Sequence, residues 1–341
     1  MRPSSSSIAT AATIGTVALP EARRDGYHEP LFMGTLAAGG TLGILIPPSI
    51  NMIIYGLLTN SSVPKLYLAG FVPGLLLAGL FGLTVLLACL ARPGWGGREV
   101  KTSWKGRIAA LPDLLPPLGI FLVVVGSIYA GLATPTEAAS LGVVAALLLA
   151  AGNRTLTLAM LIAAIEGTMR TTAMVMLIVL AAMFLNFVLS VIGLTALLAN
   201  AIEGLGLSPM QIMLVIVAGF LVLGCFMESL AMILVVVPFF WPTLIALNGG
   251  DFATADTAAF GMDNDSLKIW FGILALIVVE LGLITPPVGM NVFVISALAK
   301  DTPMTETFKG VLPFFGAELV RVAILFAFPA VTLWLPQIIG S

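Results

Sequence analysis

Charge is what this 341-residue chain has least of. Only 9% of its residues are Asp, Glu, Lys or Arg, against 59% hydrophobic, with a mean hydropathy of +1.11. A soluble domain carries about 25% charged residues, so a water-soluble globular enzyme, a disordered protein and a nucleic-acid binder are all excluded. The net charge of −2 gives no polyanionic partner a foothold. One histidine, His28, cannot build a cluster with zinc-ligand spacing. The two cysteines, Cys89 and Cys225, sit far apart in apolar stretches and read as small buried hydrophobes. No nucleophile–base pair is visible, so no enzyme is expected. Strand-like alternation is missing too, which excludes a β-barrel.

Long apolar runs are what is present. Stretches near the roughly 20 residues needed to cross hydrocarbon fall at about 31–58, 67–90, 111–131, 136–151, 171–192, 267–299 and 311–338. A further one, 208–247, is interrupted near Phe226-Met227-Glu228-Ser229. The sequence therefore predicts an all-α polytopic membrane protein. The basic segment 91–107, with Arg92, Arg98, Lys101, Lys105 and Arg107, is placed in the cytoplasm by the positive-inside rule. Counting crossings from it brings Arg23, Arg24, Arg154 and Arg170 to the same side. If 208–247 is a re-entrant hairpin, Lys300 and Lys309 also fall inside, and the acidic loop with Asp251, Asp256, Asp263 and Asp265 falls outside.

The chain also matches itself. LGILIPPSINMIIYGLLT at 42–59 parallels LGLITPPVGMNVFVISALA at 281–299, and GFVPG at 70–74 parallels GVLPF at 310–314. Counted through the crossings, the two copies have opposite orientation, and inverted repeats with broken helices mark secondary transporters. Pro47-Pro48 and Pro286-Pro287 remove backbone donors, while Gly39, Gly40, Gly43, Gly282 and Gly289 let the backbone leave helical geometry. Such backbone is tolerated at membrane depth only inside protein or beside a water-filled cavity, where freed carbonyls can hold a cation. Thr41 and Ser49 in the first copy, and Thr285 and Asn291 in the second, could add ligands. Met227-Glu228-Ser229 reads as a hairpin tip facing the second break. Ser4-Ser5-Ser6-Ser7 reads as the tip facing the first, because the spacing from tip to Pro-Pro is mirrored once the acidic stretch 249–265 is set aside. The organisation expected is 1–90 as the C-terminal part of a first inverted repeat, 91–107 as a cytoplasmic loop, and 108–341 as a complete second repeat. By that symmetry the chain lacks the counterpart of three spans and the first hairpin arm.

Other charged residues have plainer readings. Thr134-Pro135-Thr136-Glu137 has the pattern of a capping box, and Glu228 could cap the helix it precedes. Glu318 and Arg321, three apart on one helix face, should pair. Glu280, inside a span, could tune the second cation site or bond to neighbouring backbone. Arg170 is placed at the cytoplasmic edge of a span.

Five segments in order, ATAATIGTVALPE (9–21), GGTLGILIPPSINMIIYG (39–56), ATPTEAASLGVV (133–144), FMESLAMILVVVP (226–238) and ELGLITPPVGMNVFVI (280–295), resemble the large membrane subunit, DctM-like, of the tripartite ATP-independent periplasmic (TRAP) transporters. The resemblance spans essentially the whole chain. It implies a Na+-driven secondary transporter of a bacterial or archaeal inner membrane that moves organic acids such as C4-dicarboxylates or sialic acids, needs no further cofactor, and cycles by an elevator-like motion. It also implies a small four-helix DctQ-like subunit and a periplasmic solute-binding protein as partners within the lipid bilayer. By position, the first Na+ site would use Ser4, Ser5, Ser6 and Ser7 with Gly39, Gly40, Thr41, Gly43, Pro47, Pro48 and Ser49. The second would use Met227, Glu228 and Ser229 with Gly282, Thr285, Pro286, Pro287, Gly289 and Asn291. A one-component carboxylate carrier and a non-transporting remnant stay open at this point.

Overall fold

The computed structural model describes residues 7–98, 103–194, 206–299 and 302–339, with 197, 201 and 204 between. Among them every regular element is a helix. Six helices are long and apolar enough to cross a membrane, or seven if one pair bent by 44° counts as a single span. Ser4, Ser5 and Ser6 lie outside the described residues, as do Lys101 and Lys300.

The chain divides into two compact units, one built from 3–97 and 177–341 and the other from 98–176. The larger unit begins with α1 (Ser7–Asp25), α2 (Glu29–Gly39) and the short α3 (Leu42–Leu45), then α4 (Ile50–Thr59) and α5 (Val63–Ala91). The starts of α2 and α5 are written in the sequence. The His28 ring nitrogen accepts the Leu31 N–H ahead of α2, with Pro30 in the first turn, and Ser62 accepts from Lys65 ahead of α5, with Pro64 in its first turn. Asn60, left-handed at φ 51°, ends α4.

In the smaller unit, α6 (Trp104–Ala110) leads to α7 (Leu115–Tyr129) and α8 (Pro135–Gly152), which pack together. The capping box at Thr134 forms as expected: its hydroxyl accepts the Glu137 N–H, and Glu137 accepts the Thr134 N–H at 2.8 Å. The next helix, α9 (Leu158–Val191), corrects the sequence reading. It starts well before 171, so Arg170 lies in a helix interior and not at a helix start. The boundary was missed because Glu166 and Arg170 interrupt the apolar run without interrupting the helix. The division between the units falls inside α9.

The rest of the larger unit comprises α10 (Pro209–Gly224), α11 (Ser229–Leu247), α12 (Asn264–Ile284), α13 (Met290–Leu298), α14 (Met304–Ala327) and α15 (Ala330–Ile339). The interruption expected near residue 226 separates α10 from α11. The expected run 267–299 is two helices parted at 285–289, and 311–338 is also two, parted where Pro329 removes an N–H. Between α11 and α12, the 249–263 loop is organised by Asn248. Its amide donates to Met262 O at 3.1 Å and Asn264 Oδ1 at 2.9 Å, and its oxygen accepts the Phe260 N–H at 3.2 Å.

Helix α12 is the hub, with 94% of its most apolar window buried among α4, α5, α10, α11, α13, α14 and α15. In lipid, apolar side chains gain little by leaving one apolar medium for another, so helix association rests on close approach. Glycines supply it. A Cβ on Gly34 would fall on the Gly310 carbonyl, and one on Gly310 would fall on the Pro30 carbonyl, so α2 and α14 touch through bare backbone. Gly224 and Gly282 do the same for α10 and α12.

Candidate functional site: two helix breaks and a hairpin tip

Both Pro-Pro pairs sit in breaks between helices, residues 46–49 between α3 and α4 and residues 285–289 between α12 and α13. In each break the Pro-Pro peptide bond is cis. Pro47 and Pro48 offer no N–H to the carbonyls of Gly43 and Ile44, four residues back, and Pro286 and Pro287 offer none to Gly282 and Leu283. The Gly282 carbonyl takes the Thr285 N–H instead, at 3.1 Å. The two following half-helices start differently. The Ser49 hydroxyl accepts the Met52 N–H at 3.4 Å. Gly289 stands at φ 55° in the left-handed region, with the Phe308 ring 3.1 Å from where a Cβ would be.

The hydroxyls share one arrangement. Thr41 donates to Ala38 O at 2.7 Å and Thr285 donates to Leu281 O at 2.6 Å, each to its own preceding turn. A hydroxyl has one hydrogen and two lone pairs, so these oxygens are left to act as acceptors. Thr41, Ser49 and Asn291 are buried, while Gly43, Pro48, Pro286 and Pro287 are exposed. Gly39 and Gly40 end α2, and the helix is interrupted there before the Pro-Pro break is reached.

At the second tip, Glu228 caps α11. Its Oε2 accepts the N–H groups of Leu230 at 2.9 Å and Ala231 at 3.2 Å, and its Oε1 accepts the Ser229 hydroxyl at 3.0 Å. Met227 precedes it, half-buried. Backbone contact between Gly224 and Gly282 fixes this tip beside the break that follows α12. In the first copy, Ser7 opens α1, which packs against α2 and α3.

The partition of the two sets is less clean than the sequence reading drew it. Helix α4 of the first copy packs on α11 of the second, and α13 of the second packs on α1 of the first. Asn51, which sequence reasoning passed over, donates its amide to Ser229 Oγ at 3.2 Å across 178 residues. Asn291 donates to Ala37 O at 3.1 Å, across to α2. Each half-helix thus reaches into the other copy. The available signal was that Asn51 and Asn291 occupy the same place two copies apart, once the second break is allowed one extra residue.

Beyond the breaks lies a buried ionic cluster. Glu318 and Arg321 pair as expected, at 2.6 Å, with both side chains fully buried in α14. Glu280, also fully buried in α12, comes within electrostatic reach of both, and neither of its oxygens has a hydrogen bond among the described residues. Among the described residues no group of His, Cys, Asp and Glu has the makings of a transition-metal site. The donor set at the breaks is hydroxyl, amide and carbonyl oxygen, which is the chemistry of a small hard cation.

The family described as the tripartite ATP-independent periplasmic transporter, DctM component, matches residues 3–331. The C4-dicarboxylate TRAP transporter large permease protein DctM of Pseudomonas aeruginosa is 36% identical over 99% of this chain and 74% of its own length. The sialic acid TRAP transporter large permease protein SiaM of Vibrio cholerae is 32% identical over 98% and 74%, respectively. The ectoine TRAP transporter large permease protein TeaC of Halomonas elongata is 29% identical over 97% and 73%. Matched by the family model over residues 3–331 and 36% identical to a large permease over 99% of its own residues, the chain belongs to the DctM family of TRAP transporter large permease proteins.

Proposed function

We propose that this permease imports organic acids, C4-dicarboxylates or sialic-acid-like carboxylates, by Na+-coupled secondary transport across a bacterial inner membrane. It would work with a small DctQ-like membrane subunit and a periplasmic solute-binding protein that delivers the solute. The observation that carries the reading is the pair of Pro-Pro helix breaks, each preceded by a threonine hydroxyl that donates to its own helix. Thr41 and Thr285 spend their hydrogens on their own helices, which leaves both oxygens as acceptors. That arrangement favours a bare cation over a hydrogen-bond acceptor. The names of the similar permeases, which specify C4-dicarboxylate, sialic acid and ectoine, support a small polar organic solute.

The test is uptake into proteoliposomes under an imposed Na+ gradient, with the permease, the small subunit and the binding protein together. Uptake should require both Na+ and the binding protein, and should fall when Ser229 or Thr285 is replaced by Ala. Uptake that ignores the binding protein would indicate a one-component carrier. Uptake driven equally well with choline in place of Na+ would overturn the Na+ reading.

A further inference from the structure

The Asn51–Ser229 contact assigns a role to a residue outside both expected sites. Asn51 is 8% exposed and Ser229 2%, and they are joined by a 3.2 Å bond from Asn51 Nδ2 to Ser229 Oγ. Ser229 in turn donates its only hydrogen to Glu228 Oε1, at 3.0 Å. Glu228 cannot turn away cheaply, because its other oxygen accepts two backbone N–H groups at the start of α11. The hydroxyl is therefore held from two sides. Its hydrogen points to Glu228, one lone pair receives Asn51, and one lone pair is left over.

We propose that Asn51 is a positioning residue for cation binding at the second hairpin tip: it locks the Ser229 hydroxyl so that its oxygen, and not its hydrogen, is presented to the ion. The residue comes from α4, the half-helix that follows the first break, so the first copy sets the geometry of the second copy's tip. The inference rests on the Na+ reading above and goes beyond it, because it couples the half-helix after the first break to the second copy's tip through one side chain. The ordinary alternative is a structural tie between packed helices, and it makes a different prediction.

The experiment is thermal unfolding of the purified chain in detergent, titrated with NaCl against choline chloride at constant ionic strength. Na+ should raise the unfolding temperature of the wild-type protein, and Ser229→Ala should raise the Na+ concentration needed. Asn51→Ala should raise it too, by roughly two- to tenfold, the span of one hydrogen bond. Asn51→Leu keeps the bulk and removes the donor, and should behave like Asn51→Ala even if the alanine variant folds poorly. Asn51→Ala combined with Ser229→Ala should be no worse than Ser229→Ala alone. Asn51 variants that melt lower but keep the wild-type Na+ midpoint, while Ser229→Ala shifts it, would reduce Asn51 to a structural tie and overturn the proposal. Independent, additive effects would also overturn it. A wild-type protein whose melting ignores Na+ would remove the Na+ reading itself, and the proposal with it.

Discussion

The two helix breaks are built on the same backbone plan and embedded in different surroundings. In the first, the approach to Pro47-Pro48 is already interrupted at Gly40-Thr41, and the position matching Glu280 is Thr41. In the second, α12 runs unbroken to Ile284 and carries Glu280, with Glu318 and Arg321 facing it from α14. The residues of α5 that match Glu318 and Arg321, at the offset of 240 set by GFVPG and GVLPF, are Ala78 and Phe81. Phe81 packs edge-on against Phe314, with ring centroids 5.3 Å apart. So the position of the buried Arg321 carries a buried aromatic ring in the other copy, while Ala78 is exposed where Glu318 is buried. A buried ion pair is commonly no more stabilising than well-packed apolar side chains of similar volume.

That comparison is broken most forcefully at Arg321. Arg321→Leu should destabilise the protein by about 3–5 kcal/mol, the range for removing one partner of a buried pair, seen as a large fall in unfolding temperature in detergent. The triple exchange Glu280→Thr, Glu318→Ala and Arg321→Phe, which writes the first copy's residues into the second, should recover most of that loss. A triple variant as unstable as Arg321→Leu would show that the two copies are not interchangeable here.

A smaller effect separates the matching glycines Gly70 and Gly310. A Cβ on Gly310 meets the Pro30 backbone carbonyl, whereas one on Gly70 first meets the flexible end of Met52, with the Leu45 carbonyl at 2.9 Å behind it. Overpacking costs about 1–3 kcal/mol. Gly310→Ala should fall at or above the top of that range and Gly70→Ala near the bottom, by the same unfolding measurement. Equal losses would mean that the α2–α14 contact is no tighter than the packing around α5.

The smallest effect concerns the turn between α1 and α2, which has no partner like it in the second copy. There the His28 ring stacks on Trp95 at 4.0 Å and accepts the Leu31 N–H, while Arg92 lies 4.6 Å from the same indole. Burial, and then the Arg92 charge, lower the His28 pKa, against a weaker opposing pull from Glu306. A lowered pKa means that the folded state disfavours the proton. The stacked arrangement is therefore fully stabilised above the unfolded value of about 6.5 and weakens as the pH falls below it. Tryptophan fluorescence should change between pH 7.5 and 5.5, and the change should shrink in Trp95→Phe and in His28→Gln. A wild-type signal that is flat across this range would remove the histidine from the account.

Much of the site was legible in the sequence. Pro and Gly act locally, so both breaks could be placed from composition and spacing alone. The tip at Glu228 could be placed as well, because a helix cap is a short-range pattern. The Glu318–Arg321 pair was legible for the same reason, since residues three apart on a helix face each other. Asn51 was not legible: its partner lies 178 residues away, and nothing within one copy signals that its half-helix will pack on the other copy's hairpin. The full extent of α9 was missed because hydropathy tracks burial in lipid and is blind to backbone hydrogen bonding through Glu166 and Arg170.

By itself, the sequence determined that this is an all-α membrane protein with two Pro-Pro breaks and a repeated plan, since the cost of burying charge and the missing proline N–H act on the chain wherever it goes. Only the tertiary structure decided which oxygens meet. The exchange of half-helices between the copies, the burial of Glu280 beside Arg321 and the locking of Ser229 by Asn51 arise among helices that also touch through glycine-to-backbone contacts, such as Gly34 with Gly310 and Gly224 with Gly282. In an apolar solvent that gives little reward for burial, closeness of approach chooses the partners.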